Sequence, residues 1–228
     1  MKALHAMPKF VSAGSVLAGL SLALITATSH AQSAPTPNVE AAAKKVAMCT
    51  GCHNIPGYQA TFPELHKVPK IGGQCAQYIA SALTAYRKGE RKHPTMRSIS
   101  AALSDQDIAD ISAYYEQQGG KVSAPTQAPA APPAVAELLT KGACASCHGA
   151  NFSTPLPGYP KIAGQHADYL YVALKAYQVE NNANIGRGNA IMNAQAKLFT
   201  REQLREIANY IGSLPGEVQT VEAARFRK

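Results

Sequence analysis

Two pentapeptides set the chemistry of this chain: Cys49-Thr50-Gly51-Cys52-His53 and Cys144-Ala145-Ser146-Cys147-His148. Two thiols spaced by two residues, with an imidazole immediately after, form the pattern that attaches a c-type haem. The cysteines reach both vinyl groups from one helical turn, and the histidine stands beneath the iron. Covalent attachment also keeps the cofactor in a small domain that could otherwise lose it. Two other chemistries use Cys-x-x-Cys. A redox dithiol sits at a strand-to-helix junction, but no strand pattern precedes either pair. A zinc site needs four ligands, and Cys, Cys and the very next His share one metal awkwardly in so tight a turn. The motif therefore predicts two haem c groups, bound covalently at Cys49, Cys52, Cys144 and Cys147, with His53 and His148 as the fifth iron ligands.

The sixth ligand decides what such an iron can do. A strong ligand closes it for electron transfer, and an open position admits gas or substrate. Beyond the first thirty residues the chain has three methionines: Met48, Met96 and Met192. Met48 adjoins Cys49 and cannot reach the opposite ring face. Met96 follows His53 by 43 residues and Met192 follows His148 by 44. Each precedes a capped helix by a similar loop that can fold back over the ring. The alternative, a pair of gap-filling core methionines, leaves the matched spacing unexplained. Met96 and Met192 are the expected axial ligands, and His/Met ligation favours the ferrous state and a raised potential. His66, His93 and His166 have no matched partner in the other half and read as solvent residues.

These elements occur twice because the chain is duplicated. The Cys motifs match at an offset of 95, Pro69-Lys70-Ile71-Gly72-Gly73-Gln74 matches Pro160-Lys161-Ile162-Ala163-Gly164-Gln165 at 91, and Met96 matches Met192 at 96. Each half offers three helical segments. One leads into the Cys pair. A second repeats apolar residues at three- and four-residue steps (Tyr78, Ile79, Leu83, Tyr86; Tyr169, Leu170, Leu174, Tyr177). A third begins at Ser104 or Thr200, good N-caps with Asp107 and Gln203 three residues on. The fold class is all-α. Pro125, Pro129, Pro132 and Pro133 disfavour helix between the halves and mark a Pro/Ala-rich linker over 121–135, separating domains 32–120 and 136–228. Each domain has few large side chains, and a haem would complete its thin core.

Lys2 and Lys9, then an apolar run from Phe10 to Ala27, then Ser29-His30-Ala31, read as an export signal cleaved after Ala31. Without residues 1–31 the net charge falls from +8 to +6. The charge is spread evenly over both halves, whereas nucleic-acid binders concentrate it on one face. With 46% apolar and 16% charged residues the chain is not of disordered composition.

These residues resemble the dihaem cytochrome c4 family, two tandem class I cytochrome c domains. The resemblance rests on the two Cys-x-x-Cys-His motifs, the Pro-Lys-Ile-(Gly/Ala)-Gly-Gln segments, the amphipathic helices ending in Tyr86-Arg87-Lys88-Gly89 and Tyr177-Gln178, the two methionines and the final helices with Tyr114 and Tyr210. It implies a periplasmic electron carrier of a respiratory chain and not an enzyme, moving one electron per haem. It also implies loose membrane association, redox partners such as a terminal oxidase or a membrane-bound donor complex, and haems that face each other. A dihaem oxidoreductase of sulfur compounds, similar to thiosulfate dehydrogenase, or the cytochrome subunit of a dehydrogenase, is the alternative. Three features depart from the family pattern. The linker is long and Pro-rich. The segment from His53 to Pro69 is four residues longer than from His148 to Pro160, and lacks a Gly after the His. Cys75, an unpaired thiol, stands where the second half has His166. It reads as a small buried side chain of the second helix; the functional options are a haem contact or an intermolecular disulfide. Arg87, Lys88, Arg91, Lys92 and Arg97 flank Met96 and read equally as a rim of the first haem edge that steers an acidic partner and as a solvated helix end, where cations favour the C-terminus.

Overall fold

The computed structural model describes residues 35–119 and 123–222; the expected export signal, 1–31, lies outside the described residues. The first half contains α1 (Val39–Lys45), α2 (Ala47–His53), α3 (Ala76–Lys88), α4 (Pro94–Ala101) and α5 (Asp105–Glu116). The second repeats them as α6 (Pro133–Lys141), α7 (Cys144–His148), α8 (Ala167–Tyr177), α9 (Ala190–Ala196) and α10 (Arg201–Ser213). Four two-residue strands complete the described elements: β1 (Gln59–Ala60), β2 (His66–Lys67), β3 (Arg91–Lys92) and β4 (Gly186–Arg187).

Local sequence accounts for the helix starts. Asn38 accepts from the Ala41 amide at 2.9 Å and opens α1. Ser104 and Thr200 each form a reciprocal capping box, with Asp107 and Gln203, so two orphan donors are satisfied at the head of α5 and of α10. The amphipathic stripes then bury as the helical period requires. Ile79 and Leu83 of α3 pack with Ile108, Ile111 and Tyr115 of α5. Leu170 of α8 packs with Leu204, Ile207, Ala208 and Ile211 of α10. Each half thus has its own small core.

Among the described residues each half carries five helices rather than the three expected. The segment leading into each Cys pair breaks, at Val46 and at Gly142–Ala143, and a new short helix carries the thiols. The stretch expected as a loop around each methionine is also helical. His93 and Asn189 accept from the backbone amides of Met96 (3.4 Å) and Met192 (2.9 Å), and Pro94 occupies the first turn of α4. A cap plus a preset proline φ starts a helix too short to leave a periodic signal.

The halves meet through paired contacts. Gln74 and Gln165, both 4% exposed, clamp the opposite half reciprocally. Gln74 donates from Nε2 to the Lys161 carbonyl and accepts the Lys161 amide on Oε1, both at 2.8 Å. Gln165 donates to the Lys70 carbonyl at 2.8 Å and accepts the Lys70 amide at 3.0 Å. The chain after α10 crosses to the first half, where Gln219 and Gly72 exchange backbone hydrogen bonds at 2.9 and 3.1 Å. β3 pairs antiparallel with β4, Arg91 opposite Arg187.

The longer segment after His53 is an arm. β1 and β2 form an antiparallel hairpin with Ala60 opposite His66. The Lys67 amide donates to Asp168 at 3.0 Å, Glu64 pairs with Lys175, and His66 lies over Tyr169 with ring centroids 6.2 Å apart. His66 is 5% exposed, so it is not the solvent residue its sequence context suggested. Where the second half has Gly149 at φ 81°, the first has Asn54, buried and accepting from the Tyr115 hydroxyl at 3.3 Å.

Candidate functional site

Helices α2 and α7 place their thiols and imidazoles on the wall of one cavity of about 680 Å³ that runs between the halves. Its lining includes Cys49, Cys52, His53 and Met96 from the first half and Cys144, Cys147, His148 and Met192 from the second. The volume falls in the range of cofactor sites, about 300–1,000 Å³.

Each histidine is oriented by its own half. His53 Nδ1 donates to the Pro69 carbonyl at 2.9 Å, and His148 Nδ1 to the Pro160 carbonyl at 3.0 Å. A carbonyl only accepts, so the proton is on Nδ1 and the Nε2 lone pair is free to bind a metal. Burial pushes both imidazoles below the ordinary histidine pKa, against the raising effect of those carbonyls. That keeps them neutral, as an iron ligand must be. Burial likewise raises the Cys49 and Cys144 thiols, the opposite of the lowered thiolate a dithiol redox centre uses. A helix, not a strand, precedes each pair. Among the described residues no cluster of three or more His, Cys, Asp and Glu is placed to hold a metal ion. Thiols, a free imidazole nitrogen and a thioether on apolar walls fit a covalently attached haem in each half.

Other expectations need correction. His93 is half-buried and caps the Met96 helix, its pKa lowered by burial and by His66 and Arg91. His166 holds the N-cap position of α8 and is held at about 4, chiefly by burial and next by Lys70. Cys75 holds the equivalent N-cap position of α3, half-buried rather than inside the helix and away from the cavity lining. The cationic run around Met96 does not form one exposed rim. Arg87 donates to the Leu103 carbonyl and to Asp105, Lys92 reaches the Asn182 carbonyl, and Arg91 turns between the halves to Tyr78 and Tyr169. Lys88 and Arg97 stay exposed. Each of the other three has found a partner within the chain, which a local reading of charge cannot foresee.

Of the cavity residues, sequence reasoning missed Arg187 and gave the tyrosines 78, 86, 169 and 177 only a place in a helical stripe; Arg91 it expected at the haem edge but not turned between the halves. A signal was present. Arg91 and Arg187 match at the same offset of 96 as the two methionines, and both tyrosine pairs match at 91.

Two like-built helical halves, each presenting two thiols, a free imidazole nitrogen and a thioether to a shared cavity, define tandem c-type cytochrome domains. A family model described as cytochrome c matches residues 40–118 and again 134–215. Cytochrome c4 of Stutzerimonas stutzeri is 33% identical over 221 residues, covering 87% of this chain and 98% of that one. A protein of Stutzerimonas stutzeri strain A1501 named thiosulfate dehydrogenase electron acceptor is 28% identical over 213 residues, covering 90% and 96%. The crystal structure of reduced recombinant cytochrome c4 from Pseudomonas stutzeri superposes with a TM-score of 0.59 at 27% identity, over 79% of this chain and all of that one. The chain belongs to the dihaem cytochrome c4 family, electron carriers with one covalently bound haem c in each of two domains.

Proposed function

We propose that Cys49 and Cys52 hold the first haem and Cys144 and Cys147 the second, with iron between His53 and Met96 in domain 32–120 and between His148 and Met192 in domain 136–228. Residues 121–135 link the domains, and residues 1–31 direct export to the periplasm. The bound groups supply a reversible one-electron change at iron. The protein's part is to fix the ligands. The observation that carries this reading is the repeated Nδ1 hydrogen bond to a proline carbonyl, which aims Nε2 of each histidine into a cavity also lined by a methionine. A thioether sixth ligand leaves no coordination position for a substrate, so the chain carries electrons and does not transform a bound molecule.

The partners are redox proteins: a dehydrogenase or membrane-bound complex as donor and a terminal oxidase as acceptor. The relative named as an electron acceptor of thiosulfate dehydrogenase supports the receiving role. Carbon monoxide added to the fully reduced protein tests the closed sites. No spectral change is expected at either haem, whereas ready binding at one would favour the sulfur-oxidoreductase alternative.

A further inference from the structure

The two halves differ where the last helix of each meets the start of its amphipathic helix. In the first half the Ala76 amide of α3 donates to the Glu116 carboxylate at 2.7 Å, and Lys161 pairs with Glu217 at 2.6 Å. By the duplication Ala76 matches Ala167 and Lys70 matches Lys161 at an offset of 91, and Glu116 matches Gly212 at 96. So the second half lacks the Glu116 carboxylate. It cannot regain it at that position, because a Cβ on Gly212 would lie 2.9 Å from the Ala167 Cβ and from the Gln165 carbonyl oxygen. The same face of α10 carries Arg205 and Asn209 where α5 has Ala109 and Ala113, since residues four and seven apart share a helix face. The exchange opens a crevice of about 500 Å³, walled by Lys67 and Lys70 of the first half and by His166, Arg205, Asn209 and Gly212 of the second.

The chain leaves two cations of this crevice unanswered. Among the described residues its one acid is Asp168, which pairs with Lys67 at 3.7 Å and accepts the Lys67 and Tyr169 amides at 3.0 and 2.8 Å. Lys70 and Arg205 have no ion pair among those residues. The Lys70 ammonium donates to the Gly164 carbonyl at 2.8 Å, and an ammonium has two further protons to give. Burial lowers its pKa and Lys67 lowers it further, as expected of a charge without a counter-ion. Arg205 lies over the Tyr171 ring, 4.6 Å from the centroid, and donates to the Tyr171 hydroxyl at 3.3 Å, which holds its fork in place. A guanidinium fork suits a carboxylate, and Asn209, one turn on and exposed, adds an amide donor. We propose that the crevice binds a small dicarboxylate anion from outside the chain, one carboxylate at Arg205 and Asn209 and the other at Lys70. Its two carboxylates replace the pair that Glu116 and Glu217 supply in the first half. Lys70 and Arg205 belong to different halves, so the ligand fastens the interface beside the Gln165 clamp. Lys70 and Gln165 also face the larger cavity, but Arg205, Asn209 and Gly212 do not, and no expected haem ligand lines the crevice. The site therefore stands apart from the haem assignment.

The test is an amide NMR titration of the full-length, haem-loaded, reduced protein with sodium succinate, the ionic strength held constant with chloride. In the wild type one saturable set of shifts is expected, centred on Ala167, Arg205 and Asn209. Arg205→Ala restores the residue of the first half at an exposed position, and Lys70→Met keeps the aliphatic stem. Each should weaken succinate by about tenfold or more, the worth of one charge-assisted hydrogen bond. Arg205→Gln repeats the loss of charge should the alanine variant fold poorly. Lys88→Ala, which removes an exposed cation elsewhere, should leave binding unchanged. Acetate, with one carboxylate, should bind more weakly than succinate by a similar factor. Succinate should raise the melting temperature of the wild type and not that of Arg205→Ala. Absence of saturable shifts, equal binding by wild type and both Arg205 variants, or acetate binding as tightly as succinate would overturn the proposal. Sulfate that competes with succinate on equal terms would reduce the crevice to a site for any dianion and overturn the carboxylate assignment. A glutamate-rich peptide that binds there when succinate does not would give the cations to a protein partner and overturn the small-ligand reading.

Discussion

Replacing Gln165 by Ala isolates the clamp between the halves. The amide makes two hydrogen bonds across the interface, to the Lys70 amide and carbonyl, and one within its own half, from the His166 amide. Truncation leaves those backbone groups to find water or stay unpaired. A buried polar group left unmade costs roughly 1–3 kcal/mol. Lys70 is half-buried, so water reaches part of the gap, and the low end applies to each group. The sum is about 3 kcal/mol, about a hundredfold in the equilibrium that keeps the halves docked. Urea unfolding of the haem-loaded protein measures it. The Gln165→Ala midpoint should fall by the equivalent of that energy, and Gln74→Ala should match it, since the two clamps are related by the duplication. Gln165→Glu is a sharper probe. A carboxylate still accepts the Lys70 amide but faces the Lys70 carbonyl with no proton to give, so it should be no better than Ala. A loss below about 0.5 kcal/mol for either alanine variant, within the range of an ordinary surface substitution, would refute the clamp.

Acid stability should depend on Lys45. Its ammonium and the Ser104 cap hold Asp107 at about 2, and Asp110, pushed up by burial, is brought below the ordinary value by the Asn38 amide, Lys45 and Gln106. Carboxyls held down in this way stabilise the fold above their unfolded-state pKa, and that contribution drains away as pH falls from about 4 through about 2. Unfolding midpoints recorded across this window should drop steeply in the wild type and less in Lys45→Met; equal slopes would dismiss the network. Cys75→Ser should leave the haem spectrum unchanged, because the thiol is away from the cavity. It should keep or slightly raise the melting temperature, since serine at an N-cap can accept a hydrogen bond that Cys75 does not make. A changed spectrum would restore the haem-contact option. Gly149→Ala puts a Cβ 2.3 Å from the Thr154 carbonyl oxygen at a φ of 81°. It should destabilise the second half and lower its haem content, and a wild-type melting curve with full haem loading would contradict this.

What the sequence made legible was local. The Cys-x-x-Cys-His chemistry lies within five residues, and the Ser104 and Thr200 boxes close over three. The α3, α5, α8 and α10 stripes repeat within a few turns, and the duplication turned one Met spacing into two. What it hid was contact across long separation. Gln74 and Gln165 show in the sequence only as the ends of a repeated segment, because their partners stand 87 and 95 residues away. Arg91 sits in a run of cations that looks like a solvated helix end, because the tyrosine that receives it is 78 residues on. The methionine helices escaped for the opposite reason: eight and seven residues are too few for periodicity, and a histidine is an uncommon cap.

The asymmetry between the halves has a different purpose from the one its composition suggests. A longer loop, an extra cysteine and five cations near Met96 read together as an outward-facing specialisation of the first domain. In the structure most of that material turns toward the chain itself. The loop is the β1–β2 arm, fixed to α8 by Lys67 to Asp168 and Glu64 to Lys175. Arg91 and Lys92 cross to Tyr169 and to the Asn182 carbonyl of the second half. Insertions and charges that mated with an outside partner would have to remain exposed and hydrated. These are spent on ordering one half against the other, leaving Lys88 and Arg97 as the exposed cations of the run. For a carrier with two haems that is the more useful investment. The rate of transfer between them depends on a separation that a flexible junction would blur, whereas an external partner need be met only briefly.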